Sequence, residues 1–349
     1  MSEIKIGSRR IGKGHPAYLI AEMSANHNQD FDQALRILQA AKKAGADAVK
    51  VQTYTADTMT LDSNQKDFVI EGTLWEGRKL YELYEEAHTP WEWQGKLQKA
   101  AIDLGLDFFS TAFDDTAVDF LEQLNVPVHK IASFEIVDIP LIRKMASTGK
   151  PLIISTGMST QAEIEEALQT ARLAGAKEIV LLKCTSAYPA PPESMNLNSI
   201  PYFEKLFSVP IGLSDHTLGI TVPIAAVALG ACIIEKHFTL SREHHGPDSA
   251  FSLEPQEFLE MSKAVRISEA ALGQPHFGSG DAESKSQVFR RSLFVSKDIK
   301  KGDIFTRENL RVIRPGFGLH SRHFEEILGQ QANRDISRGT PMKTDFIKS

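Results

Sequence analysis

The sequence predicts a (β/α)8 barrel followed by a small, mostly β module, and three observations carry that prediction. Short apolar runs alternate with amphipathic helical patterns over about 270 residues, the length and rhythm of such a barrel. The helical patterns "DQALRILQAAKKAGA" and "QAEIEEALQTARLAGA" each end at Gly just before the next apolar run, as a helix C-terminus does. The rhythm then stops at "GQPHFGSGDAESKSQ", a Gly/Ser/polar linker, and does not resume.

The candidate strands, in order, are "AYLIAEM" (17–23), "AVKVQT" (48–53), "DFFSTAF" (107–113), "HKIAS" (129–133), "PLIIST" (151–156), "EIVLLKCT" (178–185), "VPIGLSD" (209–215) and "CIIEKHF" (232–238). This sets a barrel domain over 1–272, a linker over 273–288 and a small domain over 289–349. A doubly wound open sheet is the other fold with this alternation, but no Gly-rich dinucleotide turn supports it. Residues 54–89 interrupt the rhythm as a long insertion after the second strand, on the barrel face where loops shape active sites. The tail has short β-like runs, Gly and Pro turns and no long helix, and is too small to suggest an enzyme by itself.

Charge divides the chain the same way. Residues 289–349 carry 13 Lys+Arg against 7 Asp+Glu, a balance of +6, which leaves 26 against 38, or −12, elsewhere. A net charge of −6 gives no reason to expect nucleic acid as partner, whereas a basic tail after an acidic body suggests complementary surfaces. No apolar run reaches membrane-spanning length, and "MSEIKIGSRRIG" has no secretory apolar region, which points to the cytoplasm. Cys184 and Cys232 each sit in an apolar run and read as reduced core thiols.

In a barrel, the acting side chains sit at the C-terminal strand ends. Those ends carry Glu22; Lys50 and Gln52; Ser110 and Thr111; Lys130 and Ser133; Ser155 and Thr156; Thr185 and Ser186; Ser214, Asp215 and His216; Glu235, Lys236 and His237. Lys50 and Lys130 lie inside apolar strands, where a buried ammonium needs an anion. Two partners are open: an internal carboxylate such as Glu22 or Glu135, or an anionic substrate backed by the neighbouring hydroxyls. His216 and His237 fall on adjacent strands about 5 Å apart, close enough to share one ion, with Asp215, Glu235 and Asp248 near in sequence. Imidazole and oxygen ligands suit Mn, Co or Zn. Glu22 is the candidate acid/base. "NHNQ" (26–29) offers donors to a polar ligand, Tyr188 either stacks on a sugar or shapes a proline turn, and His244 and His245 read as solvated loop residues.

"AEMSANHNQ", "KVQTY", "STAFD", "KIASFE", "STGMS", "KCTSAYPAP", "LSDHT" and "EKHFTL…GPD" together resemble the sialic acid synthase family, and the tail around "RPGFG" is similar to that family's antifreeze-like (SAF) domain. The resemblance spans nearly the whole chain. It implies condensation of phosphoenolpyruvate with an open-chain N-acylated amino sugar, with Mn²⁺ (or Co²⁺ or Mg²⁺) held by His216 and His237. It further implies that Lys50, Thr111, Lys130, Ser133, Ser186 and Ser214 grip phosphoenolpyruvate. The family often has Asn where this chain has Ser186. Glu22 then shuttles a proton, and Gln52, Tyr188 and Asp248 face the sugar. Arg314 reaches the partner subunit's barrel in a domain-swapped homodimer, with neither nucleic acid nor membrane involved.

Within the family, the insertion looks like that of the branch building pseudaminic acid, and "NHNQ" departs in the same direction from the "NHNG" of N-acetylneuraminate synthases. That change of Gly to Gln removes a permissive backbone site and implies an altered sugar pocket. The alternatives are N-acetylmannosamine or a legionaminic-type precursor as substrate, a non-catalytic carbohydrate-binding scaffold, and a metal-dependent hydrolase. The intact charged strand ends argue against the scaffold. The lack of dense His clustering argues against the hydrolase.

Overall fold

A computed structural model, which describes residues 3–348, divides the chain into two compact units between Gly273 and Gln274. The first opens with an antiparallel hairpin, β1 (Ile4–Ile6) and β2 (Arg9–Ile11), that the sequence pattern did not reveal because its strands are only three residues long. Its Ile4, Ile6 and Ile11 are buried in the main core. Arg9 pairs with Asp47 at 2.8 Å and with Asp107 at 3.5 Å, residues at the N-terminal ends of two barrel strands, so the hairpin closes the barrel floor.

Eight parallel strands follow: β3 (Tyr18–Glu22), β4 (Ala48–Thr53), β5 (Asp107–Ala112), β6 (His129–Ile131), β7 (Leu152–Ser155), β8 (Ile179–Cys184), β9 (Ile211–Asp215) and β10 (Ile233–His237). They pair in chain order, and β10 returns to β3, so the sheet is a closed barrel and the open doubly wound alternative is excluded. Each strand lies inside its expected run and is at most two residues shorter at either end. Their Val/Ile-rich centres are buried because the barrel interior covers one face and the helices the other.

The helices begin and end where their sequences dictate. Asp30 caps the helix Phe31–Lys43 by accepting from the Asp32 and Gln33 N–H groups, and Thr160 and Glu163 form a capping box on Gln161–Leu173. After these helices Gly45 (φ +88) and Gly175 (φ +111) take the left-handed turn that the two "AGA" endings anticipated.

The insertion is less of a loop than expected. It contains the turn helix Ala56–Met59 and the helix Leu80–Ala87, and between them a β-bridge joins Val69 to Lys79.

The second unit pairs β11 (Ser292–Val295) with β12 (Leu310–Ile313) over a core of its own, including Leu293, Val295, Phe305, Leu310 and Met342. Short helical turns at Asp281–Ser284 and Lys285–Phe289 occupy the later part of the stretch that reads as linker. Among the described residues no helix is long and apolar enough to cross a membrane.

Candidate active site

Register decides which strand-end residues share the barrel interior. His237, Glu22 and Lys50 are aligned across β10, β3 and β4; Thr111 is aligned with Lys130; Cys184 and Glu235 flank Ser214. Residues aligned in parallel strands project to the same face, and alternate residues project to the other. Asp215 and Lys236 therefore face outward.

There the buried Lys236 donates to Asp215 at 2.5 Å and to the Thr217 carbonyl, while the Thr217 N–H and hydroxyl also bond the Asp215 carboxylate. Sequence proximity suggested Asp215 as a neighbour of the histidine pair. Its carboxylate is instead spent on Lys236 and Thr217, because the strand period puts it on the opposite face from His237.

Inside the barrel, the two lysines differ. Lys50 Nζ lies 2.7 Å from Glu22 Oε2 and 3.7 Å from Glu235 Oε1, and donates to Thr111 Oγ1 at 2.9 Å. Burial works against its charge, but the two carboxylates outweigh it and hold its pKa above lysine's ordinary value. Lys130 is 2% exposed and donates to Ser155 Oγ at 2.7 Å and the Ile131 carbonyl at 2.9 Å. Among the described residues it forms no ion pair, and burial draws its pKa down despite Glu235. Of the two partners open to these lysines, the internal carboxylate describes Lys50 and not Lys130. Glu135 does not pair with Lys130; its Oε2 is buried without a hydrogen-bond partner, and burial pushes its carboxyl up to about 7.

The carboxylates beside Lys50 also part company. Burial pushes Glu22 up to about 7, against the pull of Lys50, with Glu235 adding to the rise. Burial likewise opposes ionisation of Glu235, but Lys130 and Lys50 prevail and keep it below the usual range. Like charges around one cation separate in this way. With burial favouring the protonated form of Glu22, the negative charge facing Lys50 and Lys130 is reduced, which suits the cluster to an added anion.

Hydroxyls surround that cluster. Ser133 and Ser214 are buried, and Ser214 donates to Glu235 Oε1 at 3.3 Å. Gly157, at φ +25, lets the backbone close against Ser133 and Ser186: a Cβ there would lie 2.5 Å from Ser133 Cβ and 2.6 Å from Ser186 Oγ. Gly157 was not among the candidate site residues, although a Gly one step past the fifth strand's hydroxyls was a usable signal.

The imidazoles of His216 and His237 have their centroids 5.4 Å apart. His216 Nδ1 is 2.9 Å from the Thr185 carbonyl, which fixes a proton there and leaves Nε2 free to act as a ligand. His237 has a buried Nδ1 with no partner, and burial, reinforced by His216, holds the ring neutral. Two such rings on adjacent strands fit a divalent ion. No group of three His, Cys, Asp or Glu gathers as a ligand cage among the described residues. Cys184, expected as a reduced core thiol, is free and buried, with its Sγ 3.9 Å from His216 Nδ1. Burial pushes the thiol up, but His216 prevails and brings it down to about 7.

A hydrogen-bond chain links this centre to the loop after β10. Gln52 Nε2 donates to Glu22 Oε1 at 3.0 Å and to Ser24 Oγ at 2.9 Å; Ser24 in turn donates to Asp248, which also accepts from the Ala25 N–H at 3.3 Å. Ser24 escaped notice in the sequence because it follows the strand end by two residues. Tyr188 packs on His216 at 4.3 Å and on Phe251 at 5.2 Å, so it is an aromatic wall of the mouth and more than a proline turn.

The loop "NHNQ" departs from expectation. Asn26 Nδ2 is used on the Phe238 carbonyl and Ser252, and His27 is buried between Thr89 and the Gln29 N–H. Gln29 keeps a left-handed backbone (φ +52) and donates its amide to the Glu86 and His88 carbonyls at 2.9 and 2.7 Å. Gln29 thus fastens the end of the insertion, and its amide does not serve the pocket. His244 and His245 are exposed. In the second unit, Arg314 is exposed on a turn pinned by the Ser292 hydroxyl, which donates to the Pro315 carbonyl at 2.6 Å and accepts from the Gly318 N–H at 2.9 Å.

Comparison with known proteins places this geometry among relatives. Residues 37–277 match the NeuB family and residues 290–348 the SAF domain. The pseudaminic acid synthase of Helicobacter pylori is 47% identical, over 95% of this chain and 98% of its own. The N,N'-diacetyllegionaminic acid synthase of Legionella pneumophila is 36% identical, over 98% of both. The crystal structure of N-acetylneuraminic acid synthetase from Leptospira borgpetersenii, in complex with citrate, superposes with a TM-score of 0.73 at 31% identity, covering 82% of this chain and 95% of that one.

Proposed function

The chain belongs to the NeuB family, and on that premise we propose that it acts as a pseudaminic acid synthase. It condenses phosphoenolpyruvate with 2,4-diacetamido-2,4,6-trideoxy-altrose to give a nine-carbon sugar acid and phosphate. The observation that carries the anionic half of this reading is Lys130, a buried ammonium with no carboxylate of its own, set among hydroxyls. The branch is supported by 47% identity to a pseudaminic acid synthase against 36% to a legionaminic acid synthase.

Lys50 and Lys130 hold the phosphate and carboxylate of phosphoenolpyruvate, with Thr111, Ser133, Ser186 and Ser214 supplying hydroxyls. Gln52, Tyr188 and Asp248 orient the open-chain sugar, so that C3 of phosphoenolpyruvate bonds to the aldehyde carbon. Water then adds at C2 and the C2–O bond to phosphate breaks. Glu22, at about 7, is poised to give or take a proton in these steps near neutral pH. A divalent ion held by His216 and His237, Mn²⁺ first with Co²⁺ or Mg²⁺ as alternatives, supplies Lewis acidity to the aldehyde oxygen when bound.

The working form is a homodimer in which Arg314 of one subunit serves the other's barrel. It is supported by apolar exposure on each unit taken by itself. Phe134, Val137, Met158 and Leu218 are 57–62% exposed on loops at the mouth, and Phe317 is 67% exposed beside Arg314. The reaction belongs in the cytoplasm, where phosphoenolpyruvate is made.

The test is phosphate release from phosphoenolpyruvate with Mn²⁺, offering the altrose derivative, the legionaminic precursor and N-acetylmannosamine separately. Release with the altrose derivative alone is expected. Release with another sugar instead would keep the chemistry and move the branch, and silence with all three from folded, metal-loaded protein would favour a binding scaffold.

A further inference from the structure

We propose that Trp75, at the tip of the insertion, is the residue that selects the sugar, by covering the end that carries a methyl group in place of a hydroxymethyl. The chain has three tryptophans, and two belong to the helix layer. Trp91 packs on Phe120 and Trp93 on His27 and Phe31. Trp75 instead reaches across the barrel mouth. Its Nε1 donates to the Pro247 carbonyl at 3.1 Å, next to Asp248, and its ring centroid is 5.8 Å from Tyr188, which lies against His216. An element that leaves the barrel after β4 thus touches the loops after β8 and β10.

The tip is built to hold that position. It turns between Gly72 (φ +72) and Gly77 (φ +83), and hydrogen bonds join Ile70 to Gly77 and Arg78. Arg78 is fastened to Glu86 by an ion pair at 2.5 Å. With the indole N–H satisfied by a backbone carbonyl, what Trp75 offers is an aromatic face with no free donor, while Phe251 is buried against Tyr188, which keeps its phenolic hydroxyl. A methyl group gains from such a surface, whereas a hydroxyl pressed against it loses its water and finds no partner. An apolar pocket discriminates such a pair by about 10–100-fold.

The inference rests on the proposed reaction, in which the trideoxy sugar carries a methyl at C6. Steady-state kinetics of the full-length protein, Trp75→Ala and Trp75→Phe would be measured with that sugar, its 6-hydroxy counterpart and phosphoenolpyruvate. Melting temperatures would show that each variant is folded. Trp75→Ala should raise the KM for the trideoxy sugar about tenfold or more, leave that for phosphoenolpyruvate within twofold and erase the preference for the 6-deoxy sugar. Trp75→Phe should retain most of the preference. An unchanged sugar KM in Trp75→Ala, an intact preference, or an equal rise for both substrates would overturn the proposal. If the wild-type protein ignores the trideoxy sugar, the proposed function fails first. The same variants with whichever sugar is used then report separately whether Trp75 touches it: a rise confined to the sugar supports contact, and no rise refutes it.

Discussion

Substituting methionine for each of the two buried lysines should have unequal consequences, because one is paired inside the protein and the other is not. Removing Lys50 leaves Glu22 and Glu235 buried without the ammonium 2.7 and 3.7 Å away. Breaking a buried pair in this way costs about 3–5 kcal/mol. Glu22 relieves part of that cost by taking a proton, so the loss should fall toward the lower figure. At roughly 2–4 °C per kcal/mol, Lys50→Met should melt on the order of 10 °C below the parent. Lys130→Met removes an ammonium whose partners are a hydroxyl and a carbonyl, and Glu235 keeps Lys50. Glu235 loses the help of Lys130 in staying ionised but no ion pair is broken, so stability should fall by less than in Lys50→Met, by about 1 kcal/mol or under. Affinity should carry the larger loss. A hydrogen bond from a charged donor to an anion contributes about 1.5–3 kcal/mol, so the KM for phosphoenolpyruvate should rise about 10–150-fold in Lys130→Met. Thermal melts and phosphate-release kinetics on both variants read the two quantities. If Lys130→Met melts as far below the parent as Lys50→Met, or binds phosphoenolpyruvate normally, Lys130 is a structural cation and the anion-site argument is wrong.

Gly157→Ala should cost about 1–3 kcal/mol and raise the KM for phosphoenolpyruvate, since its Cβ must displace Ser133 and Ser186; kinetics and a denaturant titration check both. Glu135, raised from 4.5 to about 7 by burial, binds its proton more tightly in the folded chain. Its contribution is therefore fully present below about pH 4.5, declines above it and is lost as pH passes 7, a change of about 3 kcal/mol. Glu135→Gln should flatten that decline, and a parallel fall in both proteins between pH 4.5 and 7 would rule Glu135 out as its source. His237→Ala should leave the fold intact while abolishing Mn²⁺ binding in equilibrium dialysis and turnover with it; retained binding would place the metal elsewhere.

The barrel was legible because its signals are local. Parallel strands buried on both faces read as apolar runs, and the helix patterns carry their own caps and glycine stops. The chemistry was legible for a related reason: Lys50 and Lys130 stand out in strands that otherwise exclude charge. What local pattern does not contain is direction and distance. It grouped Asp215 and Lys236 with the mouth because they adjoin His216 and His237, and only the two-residue strand period separates their faces. It treated the lysines alike, since which of them meets a carboxylate depends on cross-strand register. Ser24, Gly157 and Cys184 join the site through contacts with strands far away in sequence. The hairpin β1–β2 was missed because strands of three residues show no period.

The Gln29 amide bears on how this scaffold can be re-engineered. By bonding the Glu86 and His88 carbonyls, it makes the loop after β3 and the insertion after β4 one mechanical part. Transplanting residues 54–89 into a relative with Gly at the position of Gln29 would leave the graft without this clamp at its C-terminal end. A chimaera meant to exchange sugar preference should carry the glutamine together with the insertion.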